Sequence, residues 1–125
     1  MNTEQKVKQN KVRTLNAIKK HFKKHGITYY QVQSDELNPY CDFIIEEDGI
    51  LKKVKTQISW IENGSVNFWS TPSSHEKVDL IYVYLPKWER IYRVPSPIAV
   101  STGGTLRFMP IFKRKPYAFA KDYEA

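Results

Sequence analysis

The sequence predicts an α+β domain in which one long basic helix precedes a mixed β-sheet. Three observations lead there. Apolar residues recur at helical spacing up to residue 24, the period changes to two after Gly26, and Asp48-Gly49 and Asn63-Gly64 then punctuate alternating runs as hairpin turns do. With 125 residues, 41% hydrophobic and 14% aromatic, the chain suits one core that needs no disulfide staples.

The helix is expected from about Thr3 to Lys24, with Val12, Leu15, Ile18 and Phe22 as its apolar stripe, Thr3 as cap and Gly26 as stop. Ile27 to Gln33 reads as a strand, and Ser34 to Tyr40 as a turn-rich loop. Cys41–Glu46 and Ile50–Ile61 form a hairpin, and a second one returns through Ser65–Ser70. Thr71 to Lys77 reads as a loop or short helical turn. Val78 to Leu85 is nearly all apolar, as a strand buried on both faces is. Arg90–Val94 is a further strand, Pro95–Gly104 a loop, Thr105–Ile111 extended and Ala118–Tyr123 helical.

Charge narrows the function. Residues 1–25 hold eight Lys/Arg against Glu4 alone, whereas the remaining hundred balance twelve bases with twelve acids. The whole excess of +7 therefore sits on the helix. A face of one sign concentrates polyanions and favours phosphate contacts. Lys8, Lys11, Arg13, Lys19, Lys20, Lys23 and Lys24 are the expected nucleic-acid contacts, extended by the cluster Lys113-Arg114-Lys115. No run approaches the ~20 apolar residues of a membrane span. The polar first ten residues do not read as a signal peptide, and a lone Cys41 permits no disulfide framework, so a cytoplasmic setting is expected. The three scattered histidines and single cysteine argue against zinc. Trp60, Trp69 and Trp88 read as core or edge aromatics, and Ser73-Ser74-His75 lacks an acid to orient the histidine.

The first hairpin carries chemistry. Metal-assisted phosphodiester cleavage needs carboxylates to hold the ions and a cation near the attacked phosphate. Asp42 opens one strand and Lys53-Val54-Lys55-Thr56 lies on its partner. Lys53, Lys55 and Gln57 share a face by alternation, and pairing is expected to bring that face to Asp42.

Asn38-Pro39-Tyr40-Cys41-Asp42-Phe43-Ile44-Ile45, Asp48-Gly49-Ile50-Leu51 and Lys53-Val54-Lys55-Thr56 together resemble the PD-(D/E)XK endonucleases associated with cyanobacterial group I introns. The likeness continues in order through Asn63-Gly64, Val78-Asp79, Tyr92-Arg93-Val94-Pro95, Leu106-Arg107 and Ala120-Lys121-Asp122-Tyr123-Glu124. The resemblance implies a restriction-endonuclease-like fold, DNA binding, and cleavage with Mg²⁺ or Mn²⁺ on Asp42 assisted by Lys55. It also implies assembly into dimers or larger homo-oligomers.

Two departures weigh against cleavage. Lys53 stands where the resemblance places Gln or an acid, and no acid lies between Gln5 and Ser34, where relatives offer a helix Glu to the metal. Gln57, Glu46 and Glu47 are the remaining oxygen donors of the hairpin. The expectation is a binder of DNA or structured RNA that has lost cleavage and needs no cofactor. The alternatives are an active Mg²⁺-dependent endonuclease using Asp42 and Lys55, and an accessory or inhibitor with protein partners in a nucleoprotein machine.

Overall fold

The computed structural model describes residues 2–32, 41–62, 65–67, 78–102, 104–107 and 120–125. Helix α1 (Thr3–Lys24) is stopped at both ends by local hydrogen bonds. Asn2, rather than Thr3, is the N-cap: its side chain accepts from the Gln5 N–H, and the Gln5 side chain returns to the Asn2 N–H. At the other end Gly26 adopts φ 65°, and Ile27 N–H donates to the Phe22 carbonyl while Gly26 N–H donates to Lys23. That pair of bonds is a Schellman stop, and the positive φ is why glycine stands there.

Five strands form a mixed sheet in the order β1-β2-β3-β6-β7: β1 (Thr28–Gln31), β2 (Phe43–Glu47), β3 (Ile50–Ile58), β6 (Leu80–Leu85) and β7 (Arg90–Pro95). Between β3 and β6 the chain forms β4 (Trp60–Glu62) and β5 (Ser65–Asn67), which pair with β8 (Thr105–Arg107) in a second, three-stranded sheet. The long strand expected over 50–61 is thus two strands, divided at buried Ser59 where the chain passes from one sheet to the other.

Hairpin β2–β3 turns through Asp48 (φ 53°) and Gly49 (φ 77°). Two successive positive-φ residues make the turn whose twist matches the strands, which selects Asp-Gly. Strand β3 changes partner along its length. Ile50 to Val54 pair with β2, and Val54 to Ile58 pair in parallel with β6.

All six residues of β6 are buried. Leu80, Tyr82 and Tyr84 face α1 together with Ile18, Phe22, Phe43, Ile45 and Val54. Ile81, Val83 and Leu85 face the opposite way, into a core shared with Val66, Tyr92, Val94, Ala99 and Leu106. That second core is covered by the three-stranded sheet and by helix α2 (Ser96–Thr102). The segment expected as loop is helical here because Pro97, at the first turn, gives up an N–H that no helix would have used.

Candidate functional site

The period of α1 decides what its cations do. Ile18 and Phe22 are fully buried against the sheet. Lys11 lies seven residues before one and eleven before the other, near-whole numbers of turns, so it shares their inward line. Val12 lies a third of a turn away and is 56% exposed, so it is no part of the stripe expected for it. Thr14 takes the inward place instead, with its hydroxyl bonded to the Asn10 carbonyl. Lys8, Arg13, Lys20, Lys23 and Lys24 are exposed and Lys19 is half-buried. Among the described residues, Lys11 is the one α1 cation in an ion pair.

Its partner is Asp42. The Lys11 Nζ lies 2.7 Å from Asp42 Oδ1, and the carboxylate side chain is 8% exposed. The other oxygen, Oδ2, accepts from the Thr56 N–H at 2.8 Å and the Thr56 hydroxyl at 2.9 Å. Asp42 just precedes β2, and its carboxylate replaces a strand carbonyl as acceptor for β3 beyond the end of β2. Both oxygens of the buried anion therefore hold donors, as burial requires.

A cleft of about 270 Å³ opens beside this pair, lined by Val7, Asn10, Thr14, Lys55 and Gln57 among others. Lys55 is half-buried there, and desolvation pulls its ammonium below the ordinary lysine value, opposed by Asp42 and reinforced by Lys11. The structure thus brings together Asp42, Lys55 and Gln57 and adds Lys11, which was expected on the outer, nucleic-acid-binding face.

Lys53 does not join them. It is exposed, lies outside the cleft lining, and its charge acts on the Cys41 thiol, in the core opposite α1. Its backbone N–H donates to Asp79 Oδ2 at 2.8 Å. Glu47 is at the far end of β2, about 16 Å along the strand from Asp42. Arg93 of β7 grips it with both guanidinium nitrogens and Lys52 adds an ion pair at 3.2 Å. Of the core or edge aromatics expected, Trp60 lies on the edge strand β4 and is 56% exposed, and Trp88 is 45% exposed with the Arg90 guanidinium 5.3 Å from its ring centroid. Lys113, Arg114, Lys115, Trp69 and Ser73-Ser74-His75 lie outside the described residues.

This arrangement of helix and mixed sheet is shared with a solved structure. It is a bacterial homing endonuclease, I-Ssp6803I. The two match with a TM-score of 0.66 at 22% identity, over 89% of this chain and 80% of that one. No family profile and no curated protein matches the sequence. The likeness establishes an endonuclease-like fold with its N-terminal helix, as the sequence resemblance implied. Among the described residues no helix is long and apolar enough to cross a membrane.

Proposed function

We propose that the protein binds nucleic acid on a homing-endonuclease scaffold and does not cut it. The carrying observation is the Lys11 ammonium on Asp42 Oδ1. A divalent ion would have to bind that same oxygen, and the cleft offers one carboxylate with two ammonium groups. Among the described residues no group of three His, Cys, Asp or Glu converges. A dication about 4 Å from an ammonium is opposed by several kcal/mol at an effective dielectric near 20. Lys11 is nearly half exposed and is free to swing away, but Asp42 would still be the one carboxylate lining the cleft. The donor set therefore does not fit Mg²⁺ or Mn²⁺.

Binding is supported by the exposed cations of α1. Lys8, Arg13, Lys20, Lys23 and Lys24 are all exposed, and among the described residues none of them is in an ion pair. Five phosphate contacts would give a slope of log affinity on log salt of about −4.5 for duplex DNA. Titrating duplex DNA and structured RNA at two salt concentrations tests this, and affinity indifferent to salt would remove the reading. Plasmid incubated with Mg²⁺ or Mn²⁺ is expected to stay intact. Cleavage that disappears in Asp42→Ala would restore the endonuclease.

A further inference from the structure

A second cleft, of about 400 Å³, lies along the C-terminal half of α1, against β6 and β7. Lys20 and Lys24 line it, and so do His21 and His25 one residue on, each pair four residues apart. The two imidazoles are stacked obliquely, with centroids 4.4 Å apart. Like charges at this spacing weaken a helix, so the arrangement carries a cost that a bound anion would remove.

The opposite wall completes a mixed site. Tyr84 and Arg90 face the basic residues, and the Arg13 guanidinium lies 5.9 Å from the Tyr84 ring centroid. Two acids are present, Glu89 and Glu124, and Arg90 is paired with Glu124 at 3.6 Å. Ala17, Ile91 and the last residue, Ala125, fill the rest of the lining. Behind His21 stand Phe22 and Tyr82, and Tyr82 in turn touches the Arg93–Glu47 pair. Lys20, Lys24 and Arg90 are matched by Glu89, Glu124 and the main-chain carboxylate of Ala125 while the imidazoles are neutral, and a proton on His21 tips the lining positive.

We propose that this cleft is a phosphate-binding subsite, where His21 and His25 close on a backbone phosphate of the bound nucleic acid and His21 takes up a proton. The proposal rests on the nucleic-acid reading and adds a site to it. In the unbound protein His21 is held below the ordinary histidine value, by burial first and then by His25 and Lys24. The negative charge of a phosphate offsets the two like-charge effects. Binding therefore takes up protons, and affinity falls as pH rises. Lys11 and Lys24 are thirteen residues apart on α1, about 20 Å. That span covers about six nucleotides of one strand, so the two clefts would address phosphates of a single duplex.

The test measures duplex affinity at fixed salt between about pH 8 and about pH 5.5, the window in which histidine titrates. The wild type is expected to gain roughly tenfold on acidification, about threefold for each charged contact. His21→Gln combined with His25→Gln should reduce that ratio towards one. An unchanged ratio in the variant, or none in the wild type, overturns the proposal. Binding absent at every pH instead refutes the nucleic-acid reading beneath it. Because His21 is half-buried, Lys20→Ala with Lys24→Ala on the exposed side provides a second arm, expected to weaken binding at both pH values. Histidine ring signals followed by NMR separate the sources of phosphate. Movement of His21 with duplex but not with inorganic phosphate supports a backbone contact, and equal movement with both overturns it.

Discussion

Two carboxylates flank hairpin β2–β3, one at each end of the same strand, and they are neutralised in different ways. Glu47 is held by the guanidinium fork of Arg93, reached from β7, and by Lys52 on the neighbouring strand. Hydrogen bonds from Arg93 first, and Lys52 after, hold its carboxyl below the ordinary glutamate range. Asp42 is held by one flexible ammonium from the helix and by the Thr56 backbone and hydroxyl. The Glu47 pair ties the sheet to itself. The Asp42 pair ties helix to sheet beside an open cleft, where a ligand can compete for it. A planar fork fixes an anion, whereas a single ammonium leaves it exchangeable.

The comparison predicts an order of effects. Arg93→Ala leaves Glu47 with one lysine and is expected to cost about 2–3 kcal/mol in denaturant unfolding. Asp42→Ala leaves a buried Thr56 N–H without its acceptor and should cost about 1–2 kcal/mol. A larger cost for Asp42→Ala than for Arg93→Ala would reverse the assignment of clamp and site. Lys11→Glu sets a second carboxylate against Asp42, costing about 1 kcal/mol without metal. That variant, unlike the wild type, should be stabilised by Mn²⁺ in a concentration-dependent way, read as a rising melting temperature. If Mn²⁺ stabilises the wild type equally, Lys11 is not what keeps the ion out.

The smallest effects are those of pH. His21 in the folded chain has a proton affinity below the unfolded value of 6.5, so unfolding takes up a proton as pH falls past that point. Stability is therefore highest above it and declines until the folded value is passed. Glu47 acts lower, contributing fully above 4.5 and losing its share as its folded carboxyl protonates. His21→Gln should flatten the upper part of a stability–pH profile and Glu47→Gln the lower part. If the proposed subsite holds, acidification is expected to weaken the fold while tightening duplex binding, which separates the two effects of His21.

Much of the fold was legible because its signals are local. The helix limits, the Asp48-Gly49 turn and the apolar run of β6 follow from period and turn chemistry. Helix α2 was missed because Pro97 reads as a break unless its place in the first turn is known. At the site, Asp42, Lys55 and Gln57 were legible from the hairpin. Lys53 was misplaced because the chain leaves strict alternation at Asp42, whose side chain turns towards α1 to meet Thr56. Lys11 falls among the seven cations expected to face outward, although its phase with Ile18 and Phe22 sets it inward. A lysine on a buried line demands an anion, and that demand was the available signal.

Strand β3 has two partners and shares one residue, Val54, between them. A slip of one position at the hairpin would exchange the faces of Lys55 and Thr56, but the same slip would unseat five pairings with β6. The phase of the cleft is therefore guarded from both directions. Side chains around Asp42 can therefore be exchanged, Lys11 among them, without loosening the frame that presents them.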